Sequence, residues 1–196
     1  MGRIVYYVAA SLDGYIAEAD DTIQWLTSYH GTYAGEAPPV GGGYEAFYAE
    51  VGALVLGSVT YEFILGMLDE GREWPYMGKP CWVLSSRNLP VPSDDGIDVR
   101  IVDAPVPALR DEMATSAGER ILWVVGGGHV ASQFADEALL DEVRVTVVPV
   151  VLASGKQLFE RRLPGGPMRL TAVLPRANGM VELQYEITRR GEPASV

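Results

Sequence analysis

This sequence of 196 residues has one cysteine, Cys81, and two histidines, His30 and His129. A single cysteine cannot form an internal disulfide, so the sequence fits a reducing compartment, and we expect a cytoplasmic protein. One cysteine and two histidines also fall short of the ligand clusters of structural zinc sites. We therefore predict no metal site.

Basic residues are scarce as well: 15 lysines and arginines stand against 26 acidic residues, a formal net charge of −11. No basic cluster is longer than the pairs at residues 161–162 and 189–190. This charge balance argues against nucleic acid and anionic membranes as partners, because both attract basic patches. The N-terminus lacks the basic-then-apolar pattern of a signal peptide, and no apolar run reaches the roughly 18 residues of a membrane span.

Length and composition predict a single domain over residues 1–196. The hydrophobic fraction is 48% and the charged fraction 21%, both ordinary for a globular protein. A chain of this length can bury one sizeable core, and nothing in its composition requires two.

The most informative stretch is residues 121–134, ILWVVGGGHVASQF. Five apolar residues without alternation indicate a strand buried on both faces of a parallel sheet. Three glycines follow, and apolar residues then recur at helical spacing. Gly126, Gly127 and Gly128 are therefore predicted to lie between a strand and the start of a helix, where unpaired backbone N–H groups attract phosphate.

Two interpretations of this glycine segment remain open. Gly126, Gly128 and Ala131 match the G-x-G-x-x-G/A pattern of dinucleotide-binding proteins, although one such match is a weak signal. The alternative is a tight strand-to-helix turn that needs glycine only for positive φ. Likewise, His129 at the helix start is either a neighbour of a pyrophosphate or an exposed cap. Val130 is the next residue at the start of the same predicted helix. The usual Rossmann arrangement is excluded, because it places the pattern after the first strand.

The same stretch, followed by D-E-V-R-V-T at residues 141–146, resembles the C-terminal half of the dihydrofolate reductase superfamily. Within it, the chain resembles the small stand-alone reductases related to the reductase domain of riboflavin biosynthesis. The resemblance covers residues 3–188. It implies an α/β fold of three layers, with a mostly parallel central sheet and a C-terminal antiparallel hairpin. The Asn178-Gly179 pair is typical of such a hairpin.

The first predicted strand, residues 3–10, leads into SLDGYIA at residues 11–17. By itself, the Asp13-Gly14 pair marks only a turn. The motif S-L-D-G-x-I-A after the first strand is also a feature of the riboflavin-type reductases. By that resemblance, Ala9 would lie beside the nicotinamide of the cofactor and Asp13 near the substrate.

The next segments resemble the substrate side of the family's active site. Residues 23–26 are similar to the tryptophan-containing end of its mobile loop, and residues 27–43 are either a lid or disordered. In the folate enzymes, the helix predicted here at residues 44–51 supplies the carboxylate that binds the pterin ring. Gly43 falls at that position, and Glu45 is the nearest carboxylate. Glu45 then either lines a different pocket or is solvated while the helix packs its aromatic residues into the core.

Two further turns resemble cofactor-binding motifs. GSVTYE at residues 57–62 is similar to G-x-x-T-[WY]-E: Gly57 opens the turn, and Thr60 either caps the next helix or bonds a phosphate. Ser85-Ser86-Arg87 follows a predicted strand where the family distinguishes NADPH from NADH. Two hydroxyls and a guanidinium suit a 2′-phosphate, although S-S-R by itself is a common loop.

Thr146 lies on the long strand predicted at residues 143–152. The resemblance implies that Thr146 faces the substrate, and β-propensity alone is the alternative reason for a threonine there.

Together, the motifs predict an NADPH-dependent reductase of a small, planar or carbonyl-bearing heterocycle, pyrimidine- or pterin-like. Asp13, Glu45 and Thr146 are the candidate catalytic residues. The missing pterin carboxylate keeps a second interpretation open, a non-catalytic NADP(H)-binding sensor or scaffold. Because the riboflavin-type relatives pair, we expect a homodimer of twice 21.2 kDa. The candidate cofactor-binding residues are Ala9, Gly57, Thr60, Ser85, Ser86, Arg87, Gly126, Gly127, Gly128, His129 and Val130.

Overall fold

The computed structural model describes residues 2–34 and 43–188, and all structural statements refer to these residues. The strands are β1 (Ile4–Ser11), β2 (Tyr15–Ala17), β3 (Val51–Gly57), β4 (Pro80–Leu84), β5 (Asp98–Val102), β6 (Ile121–Gly126), β7 (Glu142–Val148), β8 (Lys156–Gln157), β9 (Arg169–Pro175) and β10 (Val181–Glu186). The helices are α1 (Gln24–Thr27), α2 (Tyr44–Glu50), α3 (Ser58–Asp69), α4 (Val106–Ala117) and α5 (Gly128–Asp136).

Eight of these strands form the central sheet, in the order β5-β4-β3-β6-β1-β7-β10-β9. The six strands from β5 to β7 pair in parallel. β10 is antiparallel to both β7 and β9, so the C-terminal hairpin forms one edge. The short strands β2 and β8 pair separately. The predicted α/β fold, a mostly parallel sheet with a C-terminal antiparallel hairpin, is confirmed.

The sheet separates two apolar cores, because successive side chains of a strand point to opposite faces. Tyr6 belongs to the core that also contains Met113 of α4 and Phe134 of α5. Its neighbour Val5 belongs to the other core, with Tyr61 of α3. Strands covered on both faces need apolar residues at every position, which explains the unbroken apolar runs in β3 and β6.

The order of the strands brings the predicted motifs together. β3, β6 and β1 are adjacent, and all three run parallel. Their carboxyl ends therefore meet at one edge of the sheet. α3 begins directly after β3, and α5 begins two residues after the end of β6. The turns that contain Gly57 and the three glycines, together with Ala9, thus lie side by side.

Three expectations need correction or lie outside the described residues. The strand predicted to reach residue 152 ends at Val148, because Pro149 has no N–H to continue the ladder. The helix after β3 begins at Ser58, with Gly57 as its N-cap and no side-chain cap. Thr60 is thus inside the helix, and its interpretation as a helix cap is wrong. Residues 35–42, about half of the segment 27–43 that was predicted to be a lid or disordered, lie outside the described residues.

The described residues lack two further features. No helix there is long and apolar enough to cross a membrane. Nor does that part of the chain contain a group of three or more histidine, cysteine, aspartate or glutamate side chains placed to hold a metal ion.

Candidate functional site

A cleft of about 1240 Å³ lies at the carboxyl ends of the parallel strands. Its walls come from β1, β3, β4 and β6 and from the helices that follow them. The cleft brings together all eleven residues that the sequence assigned to cofactor binding. These are Ala9, Gly57, Thr60, Ser85, Ser86, Arg87, Gly126, Gly127, Gly128, His129 and Val130.

The three glycines have different local requirements. Gly126 has a φ of +140°, which side chains rarely adopt, and its peptide bond to Gly127 is cis. Gly127 is the N-cap of α5, and a Cβ there would find Ile16 as its nearest neighbour at 3.7 Å. A Cβ on Gly128 would lie 2.3 Å from the backbone oxygen of Gln157. Gly128 is therefore required by packing, whereas Gly127 leaves an open approach to the start of α5.

This open approach fits an anionic group. The first N–H groups of a helix have no partner inside the helix, and its N-terminus carries a partial positive charge. A ligand can contact the backbone at Gly127 because no side chain intervenes. The residues present therefore fit the pyrophosphate of a dinucleotide.

The serine–arginine segment lies at another part of the same cleft. The Ser85 hydroxyl accepts a hydrogen bond from the backbone N–H of Arg87 at 3.0 Å. The Arg87 guanidinium donates two hydrogen bonds to the carboxylate of Glu62 on α3, at 2.8 and 2.7 Å. Sequence reasoning missed this partner because the two residues are 25 positions apart. Glu62 was visible only as the last letter of the motif in residues 57–62.

His129, the second residue of α5, also has an acidic partner. Its Nδ1 lies 2.7 Å from Glu160 Oε2, and its Nε2 lies 2.9 Å from Gln133 Nε2. When the Gln133 amide donates to Nε2, the ring proton must be on Nδ1, where it is donated to Glu160. The imidazole is held at the edge of the cleft, next to the start of the helix.

The three residues predicted for catalysis lie elsewhere. Asp13 does not line the cleft: its carboxylate accepts hydrogen bonds from the Ser11 hydroxyl at 2.6 Å and from the backbone N–H groups of Leu152 and Ala153 at 3.1 and 2.7 Å. The Ser11 hydroxyl lowers the pKa of Asp13 below its usual value, and the two backbone donors add to this. Asp13 ties the turn after β1 to the segment after β7, and it stays ionised at neutral pH.

Glu45 is exposed on α2 and lies outside the cleft. The same helix buries Phe47, whose ring lies 4.6 Å from that of Tyr7 and 5.4 Å from that of Trp123. Tyr44 is 47% exposed and contacts Trp123 at 5.8 Å. The helix therefore presents aromatic rings to the sheet and its carboxylate to solvent.

Thr146 belongs to a buried polar cluster that the sequence did not reveal. It is paired across the sheet with Ala9 of β1 and with Glu182 of β10. Glu182 is only 2% exposed. Its carboxylate accepts hydrogen bonds from the Tyr7 hydroxyl at 3.1 Å and from Arg176 at 2.5 Å. The Thr146 side chain acts against burial on Tyr7, because it lowers the pKa that burial raises.

Burial and pairing act in opposite directions on Glu182. Burial by itself would raise the pKa of this carboxyl, but hydrogen bonds from Gln184, Arg176 and Tyr7 and the charge of Arg176 outweigh it, so the pKa is lowered. Burial raises the pKa of Tyr7. At neutral pH the cluster therefore contains an ionised glutamate and a protonated tyrosine. The sequence signal was weak, because VELQYE at residues 181–186 is typical of any half-buried strand.

We predict that Glu182 makes the stability of the protein dependent on pH. Because its pKa is lower in the folded state, its contribution is complete above the unfolded pKa of about 4.5 and is lost as the pH falls through the folded value. Glu182→Gln should cost about 3–5 kcal/mol at pH 7, since it breaks a buried ion pair, and should flatten the acid dependence. Urea unfolding at pH 7 and pH 4 measures both effects.

Glu186→Gln is the matched control on the same strand. Its partner is Arg169, and both side chains are about half exposed, so its removal should cost no more than about 1 kcal/mol. Equal costs for the two variants at pH 7 would contradict the assignment of Glu182.

Comparison with known proteins identifies the family and the fold. The family model of the RibD C-terminal domain matches residues 77–181, just over half of the chain. The uncharacterized protein YwjB of Bacillus subtilis (strain 168) is 33% identical over 171 residues, which cover 86% of this chain and 88% of that protein. A candidate riboflavin biosynthesis protein from Shewanella sp. PV-4, known from its crystal structure, is 28% identical. Its TM-score is 0.75, and the match covers 95% of this chain and 99% of that one.

A more distant structure shows the fold alone. Dihydrofolate reductase from Enterococcus faecalis, solved with NADP(H) and RAB-propyl, is 16% identical, with a TM-score of 0.53 over 95% of this chain and 97% of that one. The fold is thus dihydrofolate reductase-like, as predicted from the sequence. The chain belongs to the RibD C-terminal domain family.

Proposed function

We propose that this protein is an NADPH-dependent reductase that transfers hydride to a small heterocyclic or carbonyl-bearing substrate, pyrimidine- or pterin-like. One observation carries the proposal: all eleven residues assigned to the cofactor line a single cleft. Its volume, about 1240 Å³, exceeds the roughly 300–1,000 Å³ of pockets for drug-sized ligands. This volume suits a dinucleotide and a second molecule. Open α/β sheets bind ligands at this edge.

Each part of the cleft has a role in the proposal. Backbone N–H groups at Gly127 and the start of α5 bind the pyrophosphate. Ser85, Ser86 and Arg87 bind the 2′-phosphate, and Ala9 borders the nicotinamide because its short side chain leaves room for a ring. The bound nicotinamide supplies the hydride. The protein positions the two reactants and excludes water.

The substrate, in this proposal, lies in the cleft beside Ala9. Thr146 is the cross-strand neighbour of Ala9 in the sheet. Asp13 is ionised at neutral pH and lies outside the cleft, so it does not itself donate a proton. We also propose that residues 1–196 form one domain and that the protein is a cytoplasmic homodimer. A monomer in light scattering at micromolar concentration would refute the dimer.

Arg87→Ala tests the assignment of the cofactor. NADPH should bind more tightly than NADH to the unaltered protein, and the variant should lose most of this preference. A hydrogen bond to a charged group is typically worth about 1.5–3 kcal/mol, so the affinity for NADPH should fall about 10- to 150-fold while that for NADH changes little. Calorimetric titration with both nucleotides measures this, and equal affinities in the unaltered protein would refute the NADPH assignment.

Catalysis needs a separate experiment. The protein should oxidise NADPH when mixed with its substrate, and a panel of pyrimidine- and pterin-like carbonyl compounds is the appropriate first set. Product carrying deuterium from NADPH labelled at C4 would establish hydride transfer. Tight binding of NADPH without turnover of any compound would instead favour the alternative, a non-catalytic NADP(H)-binding sensor.

A further inference from the structure

The Arg87 guanidinium, which lines the proposed cofactor site, is already engaged by a carboxylate. Both of its terminal nitrogens donate to Glu62, one to each carboxylate oxygen, at 2.8 and 2.7 Å. This is the paired geometry in which arginine also captures phosphate. Any 2′-phosphate that binds Arg87 must therefore displace Glu62 or share the guanidinium with it.

Other basic side chains that line the cleft have acidic partners too. Lys156 Nζ lies 3.3 Å from Asp21, and His129 Nδ1 lies 2.7 Å from Glu160. Both of these basic side chains are thus already paired. Among these pairs, the one formed by Arg87 lies in the segment assigned to the 2′-phosphate, which is the group that distinguishes NADPH from NADH.

We propose that Glu62 is a specificity-determining residue that limits the preference for NADPH by competing with the 2′-phosphate for Arg87. This inference rests on the proposed function and deepens it. A guanidinium has five N–H donors, and Glu62 takes two of them. A phosphate that uses the remaining donors lies close to the Glu62 carboxylate, and the two anions repel each other. NADH has no 2′-phosphate and is not affected.

The surroundings of the pair favour competition over a purely structural role. The side chains of Arg87 and Glu62 are 51% and 43% exposed, so a ligand can reach them. Exposed pairs of this kind contribute little to stability. Glu62 lies in the first turns of α3, on the helix that also supplies Thr60 to the cleft. Its carboxylate can therefore rearrange without unfolding the site.

Glu62→Gln is the direct test, because it removes the charge and keeps the shape. The affinity for NADPH should rise about three- to tenfold, which is the effect expected from one unit charge close to a phosphate in a solvated site. The affinity for NADH should stay within about twofold. The fragments 2′,5′-ADP and 5′-AMP should show the same contrast, since they differ only by the 2′-phosphate. Calorimetric titration of each ligand gives the four affinities.

Two further variants separate competition from general electrostatics. Asp69→Asn removes the same charge from the same helix, seven residues or about 10 Å further along its axis, and should leave the ratio of NADPH to NADH affinity unchanged. In the Arg87→Ala background, Glu62→Gln should have a smaller effect on this ratio, because the contested donor is absent.

The outcomes are distinguishable. An unchanged or lower affinity for NADPH in Glu62→Gln, with both nucleotides still bound, would overturn the role of Glu62 and leave the proposed function standing. An equal gain in Asp69→Asn would also overturn it, because net charge would then be the cause. Absence of binding of either nucleotide to the unaltered protein would overturn the proposed function and this inference together.

Discussion

Replacing Gly127 by valine should lower the affinity for NADPH about a hundredfold or more and leave the fold intact. A side chain at this position would project towards the place assigned to the pyrophosphate and separate it from the backbone N–H groups. Losing two hydrogen bonds to a charged group costs roughly 3–6 kcal/mol, and each 1.4 kcal/mol is tenfold in affinity. Titration with NADPH measures the loss.

The fold should tolerate this substitution. The nearest atom to a Cβ on Gly127 is Ile16 Cδ1 at 3.7 Å, an ordinary contact, and the φ of −79° is one that valine adopts. The neighbouring Gly128, in contrast, has no space for a side chain. A Cβ on Gly128 would lie 2.3 Å from the backbone oxygen of Gln157, so Gly128→Ala should lower the midpoint of urea unfolding. Full affinity for NADPH in Gly127→Val would mean that the glycine segment is only a turn.

The second large effect concerns the substrate: dihydrofolate should be reduced poorly or not at all, and diaminopteridine inhibitors should bind weakly. Folate enzymes hold the pterin ring through a buried carboxylate on the helix that corresponds to α2. The sequence resemblance predicts Gly43 at that position, and Glu45 is exposed. A helix turns about 100° per residue, so an offset of one or two residues points the carboxylate away from the ring.

Glu182, a buried carboxylate, is not available to bind the pterin ring. Glu182 is held by Tyr7, Arg176 and Gln184. Losing one partner of a buried charged contact typically costs about 2–5 kcal/mol, so affinity should be lower than in a folate enzyme by about 30-fold to several thousandfold.

Steady-state assays with dihydrofolate and titration with a diaminopteridine decide the matter. Glu45→Gln is the control: it should change neither result, because Glu45 is directed to solvent. Nanomolar inhibition of the unaltered protein, abolished by Glu45→Gln, would show that Glu45 is the pterin carboxylate after all.

The fold was predicted from patterns of residues that are close together in the sequence. The apolar runs in β3 and β6 predicted buried parallel strands, and the glycines after β6 predicted a turn into a helix. Both depend on residues close together in the sequence. The strand β7 ended earlier than its apolar pattern suggested, because Pro149 interrupts the hydrogen bonds without changing the hydropathy.

The parts of the site that sequence reasoning missed depend on distant partners. The pairing of Arg87 with Glu62 spans 25 positions, and that of Tyr7 with Glu182 spans 175. No local pattern distinguishes Glu182 from an exposed glutamate on an edge strand, because its burial arises only when β10 pairs with β7. Thr60 was misplaced as a cap for a related reason: the backbone of Gly57, not a side chain, begins α3.

A structure of the protein crystallised with NADPH tests the central claim most directly. We predict that the pyrophosphate lies against the backbone at Gly127 and the start of α5, that the nicotinamide lies beside Ala9, and that the 2′-phosphate lies at Ser85-Ser86-Arg87. Cofactor density elsewhere on the surface, or an empty cleft at millimolar NADPH, would contradict the account.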